Sequence, residues 1–477
     1  MLDTRNFYIN GKWVAPHEAR DHHVINPTNE EPCTIVSLGS ENDVNDAVAA
    51  ARAAFNSWKE TPVEDRIAAL ESLIENYEEG ADEMAEAMSL EMGAPIDFSR
   101  NVHFMAGLSH LRNFAEVARK FTFEEPLSDE AQDSWIIYEP AGVAALITPW
   151  NWPMNQVMLK VGAAIVAGCT MVLKPSEESP LSALILADMI DRAGFPPGVF
   201  NLVNGDGAGV GTALSGHTDV DVVSFTGSCR AGKLVSTNAV ENLKRVHLEL
   251  GGKGANLVFA DADSDAVERG VRQLMINSGQ SCIAPSRMVV EKQAYDEAVQ
   301  TAEMVGQTLE VGPAGEHGPH LGPVVNKAQF EKIQGLIQSG IEEGARVVVG
   351  GPGRPDGFNR GFYVRPTIFA DVTNDMRIAK EEIFGPVLVM MKFEDEQDAI
   401  DIANDTEFGL MNYVQTQDSE KLKRVSRQLR SGMVEANGIR RGAGAPFGGI
   451  KQSGNGREGG KWGMEDFLEV KLVSGWS

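Results

Sequence analysis

The chain of 477 residues holds only four cysteines, Cys33, Cys169, Cys229 and Cys282, with no CxxC pair and no metal-type Cys/His spacing. So few thiols in so long a chain exclude a disulfide framework, and a reducing compartment and no bound metal are expected. Positive charge is also short: 42 Lys and Arg against 68 Asp and Glu leave a net charge of −26. That balance argues against a nucleic-acid or anionic-membrane partner. The longest apolar run, 161–173, contains Gly162 and Gly168 and is too short to span a bilayer. Residues 1–7 lack the apolar core of a signal peptide, so the expected location is cytoplasmic. There is no internal repeat and no low-complexity tract. What is present, 43% hydrophobic and 23% charged residues, is the composition of an ordinary globular protein of two or three domains.

Phe7 to Val14 reads as a hairpin turning on Asn10-Gly11. Ser40 with Asp43 signals the cap of a helix carrying Val44, Ala47, Val48, Ala51 and Phe55. A second amphipathic helix carries Ile67, Leu70, Ile74 and Tyr77. From Ala141, apolar strands near 142–147, 170–174, 199–203, 221–226 and 245–250 alternate with helices near 154–167, 180–193, 207–214 and 230–240. Such alternation predicts right-handed crossovers and a parallel sheet, with ligands at the carboxyl ends of its strands. After 256–259 a second α/β unit follows, with strands near 287–291, 345–349 and 387–392 and helices near 326–340 and 395–404. Strands at 134–138 and 467–476 fit neither pattern and suggest a small sheet for subunit contact.

The informative residues stand just after strands. Thr148-Pro149-Trp150-Asn151-Trp152-Pro153 fixes the backbone with two prolines and aims the Asn151 amide into the crevice as an oxyanion donor; a capping Asn in a Pro-rich turn is the plain alternative. Lys174 and Glu177 suit ribose hydroxyls, or else form a surface ion pair; a carboxylate there disfavours a 2′-phosphate and so favours NAD over NADP. Gly227-Ser228, opening the helix near 230–240, offers free N–H groups to a pyrophosphate. Residues 227–233 also fit G-x-x-x-x-G-K, but Leu234 stands where magnesium needs Ser or Thr, and the GxGxxG match at 454–459 follows no strand. Glu249 ends an alternating strand before Gly251-Gly252 and suits a general base, or is a solvated strand-end Glu. Glu382 and Phe384 precede strand 387–392 and suit a ribose and a nicotinamide ring. Cys282 lies on a Gly-containing loop between a helix near 263–275 and strand 287–291, well placed for a nucleophile, though cysteine is more often a small buried hydrophobe.

In this order, and over nearly the whole chain, these motifs resemble the NAD(P)-dependent aldehyde dehydrogenase superfamily. The resemblance implies a Rossmann-type cofactor domain (1–120 and 139–250), an α/β catalytic domain (251–445), and an oligomerisation element with a C-terminal loop (121–138 and 446–477). It implies that Cys282 is the nucleophile and Glu249 the base that activates water. Asn151 and the Cys282 N–H would form the oxyanion hole, and Lys160 matches a lysine near the active site. Lys174 and Glu177 would hold the adenosine ribose, Gly207, Gly211, Gly227 and Ser228 the pyrophosphate region, and Glu382 and Phe384 the nicotinamide end. Ile147, Trp150, Phe225 and Leu250 would complete the cofactor surround, and 446–454 resembles the loop beside the substrate tunnel. The expected partners are an aldehyde and further copies of the chain, as a dimer or tetramer joined through strands 134–138 and 467–476.

Some positions depart from the commonest pattern of that superfamily. Ser281 and Ile283 flank the nucleophile, Asn155 and Leu159 occupy the helix face turned to the tunnel, and Arg440-Arg441 stands where an aromatic is common. With Trp152 and Phe447 these are the candidate substrate contacts. An arginine there would suit a carboxylate or other polar tail, as in a semialdehyde; a solvated or subunit-contact pair is the alternative. Glu249 favours hydrolysis over transfer to coenzyme A, which stays open. So do a cofactor-free hydrolase pairing Cys282 with a histidine such as His247, and a nucleotide-binding relative without activity.

Overall fold

The computed structural model describes residues 2–476. Phe7–Ile9 and Lys12–Val14 pair antiparallel across Asn10 and Gly11, both at positive φ (52° and 71°). Ser40 and Asp43 form a reciprocal cap on the helix Glu41–Trp58, whose apolar stripe of Val44, Ala47, Val48 and Ala51 is buried.

Eight strands form the first sheet, in the order Gly454–Asn455, Arg245–Glu249, Val222–Thr226, Val143–Ile147, Thr170–Lys174, Phe200–Leu202, Phe7–Ile9, Lys12–Val14. The five middle strands, 245–249 through 200–202, run parallel. Counted along the chain, the first of these five (Val143–Ile147) pairs with both the second (Thr170–Lys174) and the fourth (Val222–Thr226). The strand order therefore reverses between Val143–Ile147 and Val222–Thr226, and this switch opens a crevice at their carboxyl ends. The expected helix near 207–214 is present, as a π-helical turn at Gly207–Gly211 that runs into the α-helix Thr212–Gly216. The glycines there lack the intrinsic preference to hold a regular helix.

The second sheet has seven strands in the order Arg346–Val349, Thr367–Ala370, Val387–Phe393, Arg287–Glu291, Ala255–Val258, Met411–Gln415, Met433–Ala436. All neighbours are parallel except the Arg346–Val349 edge. The turns that enter three of its strands carry Gly251-Gly252, Cys282 and Glu382. The amino edge of this sheet thus meets the carboxyl edge of the first.

Of the two stray strands the first extends to Ser134–Pro140 and the second is shorter than expected, Leu468–Ser474, and they pair with each other over their whole length within one chain. The C-terminal strand thus folds back onto its own chain, with Glu124–Pro126 on the other side of Ser134–Pro140. Residues 454–455, the start of the GxGxxG match, form an edge strand on Arg245–Glu249 rather than a nucleotide loop. Among the described residues no helix is long and apolar enough to cross a membrane.

Candidate active site

The loop that carries Cys282 is built by hydrogen bonds, not by sequence regularity. After the helix Ala266–Met275, Asn277, Ser278 and Gly279 all take positive φ (54°, 55° and 73°), which costs the non-glycine residues about 1 kcal/mol or more each. The surroundings hold them there. The Asn277 side chain donates to the Asn151 carbonyl (2.7 Å), Ser278 Oγ donates to the Gly322 carbonyl (2.7 Å), and Gln280 Oε1 accepts from the Val325 N–H (2.9 Å). Gly279 packs on the Gly385 carbonyl, where a Cβ would collide, so this loop and the 382–386 turn are fitted backbone to backbone. The Gly251-Gly252 turn after Glu249 passes close to the same two segments: a Cβ on Gly252 would strike the Cys282 carbonyl, and one on Gly251 the Glu382 carboxylate.

These contacts gather Trp150, Asn151, Gly227, Ser228, Glu249, Leu250, Cys282, Glu382 and Phe384 around one cavity of about 150 Å³. Thr226, Gln329 and Lys332, which sequence reading missed, also line it. Asn151 is buried, and its amide donates to the Gln280 carbonyl (3.1 Å), beside Cys282. Burial pushes the Cys282 thiol well above its usual range, and the Glu249 and Glu382 charges push it further. The thiol is therefore protonated at rest, and a positive charge brought into the cavity would acidify it. Glu249 is 2% exposed, and neither of its oxygens has a hydrogen-bond partner. Burial raises this carboxyl, the Glu458 charge adds to that, and Lys160 and Arg457 act against it. A buried, unpartnered, proton-hungry carboxylate a short way from a thiol is the environment of a general base.

Lys160 does not line the cavity. It is buried behind it, ion-paired with Glu458 and hydrogen-bonded to Ser224 Oγ (3.0 Å). Ile147 and Phe225 are core residues. The Phe225 ring supports Gly227, where a Cβ would lie 2.6 Å from it. Ser228 caps the helix Cys229–Val240, its Oγ accepting from the Ala231 N–H (3.3 Å), so the helix N-terminus borders the cavity. Lys174 and Glu177 sit apart from the cavity at the next strand end, with Nζ 3.1 Å from the carboxylate. Gly207 and Gly211 lie on the π-helical turn after Phe200–Leu202. Glu382 accepts from the Gly252 N–H (2.9 Å), and Phe384, itself at φ 62°, stands edge-on to Trp150 (5.4 Å, 87°).

A second cavity, about 450 Å³, lies on the other side of the loop. Every candidate substrate residue lines it: Trp152, Asn155, Ser281, Ile283, Arg440, Arg441 and Phe447. Cys282 borders the first cavity and both of its neighbours border the second, so the loop is the partition between them. Phe98, Val102, His110, Tyr413 and Glu435 also line it; all but Glu435 come from segments distant from the candidate residues, and none has a local motif to announce it. His110 pairs with Asn155 (2.9 Å). Arg441 is engaged by Glu435 (3.1 Å) and lies over the Phe447 ring (5.2 Å). His247 borders neither cavity. Its ring faces Glu249 and Asp466 rather than Cys282, which removes it as partner of the thiol in a cofactor-free hydrolase.

A model of the aldehyde dehydrogenase family matches residues 13–473. The chain is 50% identical to a 3-succinoylsemialdehyde-pyridine dehydrogenase from a Pseudomonas species, over 100% of this chain and 99% of that protein. It superposes on the crystal structure of an aldehyde dehydrogenase from Bartonella henselae with a TM-score of 0.99 and 54% identity, covering 99% and 100% of the two chains. A mutant aldehyde dehydrogenase C from Pseudomonas syringae, solved with NAD+ and octanal, gives 0.97 and 46%, covering 99% and 97%.

Proposed function

Because the chain belongs to the aldehyde dehydrogenase family, we propose that it oxidises a polar-tailed aldehyde to the acid, with Cys282 as nucleophile, Glu249 as base and NAD+ as hydride acceptor. The convergence of Cys282, Asn151 and Glu249 on one small cavity carries this reading.

The residues fit the cofactor. The N-terminus at Gly227-Ser228 would offer N–H groups to the pyrophosphate. The carboxylates of Glu177, paired with Lys174, and of Glu382, accepting from the Gly252 N–H, would hydrogen-bond the two ribose diols, and Phe384 and Trp150 would flank the ring. When bound, NAD+ supplies a hydride acceptor and a positive charge near the thiol. Cys282, acidified by that charge, releases its proton to solvent and adds as thiolate to the aldehyde carbon, and Asn151 with the Cys282 N–H stabilises the oxyanion. Loss of hydride leaves a thioester, and Glu249 takes a proton from the water that attacks it, releasing the acid and the thiol. Glu177 at the adenosine end favours NAD: Glu177→Gln is expected to raise kcat/KM with NADP by about tenfold, toward the value with NAD. An unchanged cofactor ratio would remove Glu177 from that role.

For the substrate, the Pseudomonas relative is named for a semialdehyde joined to a pyridine. The larger cavity here combines the Phe98, Trp152, Tyr413 and Phe447 rings with the His110–Asn155 pair, which suits an aromatic tail bearing a neutral polar group. Arg441 is already neutralised by Glu435, so a carboxylate tail must compete for it. A neutral polar aromatic aldehyde is expected to exceed a carboxylate-bearing semialdehyde by about tenfold in kcat/KM, and Glu435→Gln, by freeing the guanidinium, to narrow that gap. A native preference for the anionic semialdehyde would contradict the assignment.

A further inference from the structure

His247 stands on the same strand as Glu249, one alternation before it, and is 3% exposed. Its Nε2 lies 3.5 Å from Glu249 Oε1 and its Nδ1 lies 3.3 Å from Asp466 Oδ2. Both Nε2 and the Glu249 carboxylate lack a hydrogen-bond partner. Asp466 is the more exposed end of this row, its side chain 28% accessible. The Gly456 backbone packs against the ring, where a Cβ would sit 2.5 Å from Cδ2, so the imidazole has no room to turn away.

Both flanking groups are carboxylates, but Nδ1 lies nearer to Asp466 (3.3 Å) than Nε2 does to Glu249 (3.5 Å), and Nε2 is buried without a hydrogen-bond partner. The ring hydrogen is therefore assigned to Nδ1, and Nε2 presents a lone pair to Glu249. A lone pair and a carboxylate repel, which accounts for a contact at 3.5 Å that is no hydrogen bond. A protonated Glu249, by contrast, can donate to Nε2. The other ionisable groups facing this pair are Lys160 on the helix Pro153–Ala167, Arg457 and Glu458 beside the C-terminal edge strand, and Asp466 itself. Lys160 and Arg457, together with burial, hold the ring neutral (pushed down to about 3), so it acts as an acceptor and not as a second acid.

We propose that His247 is a positioning residue for the base: its ring, set by Asp466, accepts a hydrogen bond from Glu249 once that carboxyl has taken a proton, and so sets the pH at which deacylation begins. This rests on Glu249 being the base. By favouring the protonated carboxyl, His247 makes Glu249 a stronger proton acceptor and places the acid limb of deacylation higher on the pH scale.

The test needs no cofactor. With p-nitrophenyl acetate, the first burst of nitrophenolate reports acylation of Cys282, and the following steady rate reports deacylation. In His247→Leu the acid limb of the steady rate is expected to move down by about one pH unit, and its plateau to fall severalfold, with the burst unchanged. His247→Gln, whose amide oxygen can accept the same hydrogen bond, is expected to restore the limb toward the native position. It also serves if the leucine variant does not fold. A limb that stays in place in both variants, or a burst that falls in parallel with the steady rate, would overturn the inference. Glu249→Gln separates the two ideas. If it abolishes the steady rate while His247→Leu leaves the limb unmoved, only the role of His247 fails; if it leaves the steady rate intact, the base assignment fails and this inference with it.

Discussion

Replacing Cys282 by alanine is expected to lower aldehyde oxidation on the order of 10⁴-fold or more, because no other thiol lines the cavity and the remaining donors have no covalent intermediate to stabilise. The fold should survive. Asn277, Ser278 and Gln280 hold the loop through bonds that do not involve the thiol, and alanine keeps the Cβ while removing a single sulfur atom, at a cost of about 1 kcal/mol. Ester hydrolysis should vanish with it, since both activities pass through the same thiol. Oxidation persisting above about one hundredth of the native rate, in a variant of native thermal stability, would show that the reaction does not need covalent catalysis.

Glu249→Gln separates the two halves of the reaction. Steady turnover is expected to fall by about 10²- to 10⁴-fold, while a first burst of about one NADH per site remains, since the amide cannot deprotonate water but does not block the thiol. The pH dependence has a definite sign. Glu249 must be unprotonated to act, and burial with the Glu458 charge raises its proton affinity. Turnover should therefore rise with pH along a limb lying above that of an ordinary carboxylate, and this limb should be absent from the variant. The same shift affects stability. The folded chain holds this proton more tightly than the unfolded chain, so the contribution is fully present below the unfolded value and is lost as pH rises through the folded one. Removing an unpartnered buried carboxylate should accordingly leave the fold no less stable near neutral pH.

The sequence was most legible where chemistry and strand ends coincide. Asn151, Gly227, Glu249 and Glu382 could be located because each follows or precedes an apolar strand, and the parallel sheets bring those ends together. Lys160 was found by resemblance but not its partner, because Glu458 lies nearly three hundred residues away on an edge that spacing cannot see. The Glu435 that neutralises Arg441 was missed although it is near in sequence, since its direction depends on the strand Met433–Ala436, which carries little apolar alternation. The positive φ angles of Asn277 and Ser278 have no local cause; they follow from tertiary hydrogen bonds to 151, 322 and 325. The pairing of 134–140 with 468–474 is likewise a matter of chain closure. A free edge and a paired one look alike in sequence.

One measurement bears most directly on covalent catalysis by Cys282 with hydrolysis by Glu249. The Glu249→Gln protein is mixed with NAD+ and an aldehyde, quenched within one turnover, digested, and the peptide bearing Cys282 is weighed. The expected result is an acyl adduct on Cys282, heavier than the free peptide by the aldehyde less two hydrogens, appearing in step with the NADH burst and absent when NAD+ is withheld. NADH formed in the burst with Cys282 unmodified, or an adduct on another residue, would contradict it.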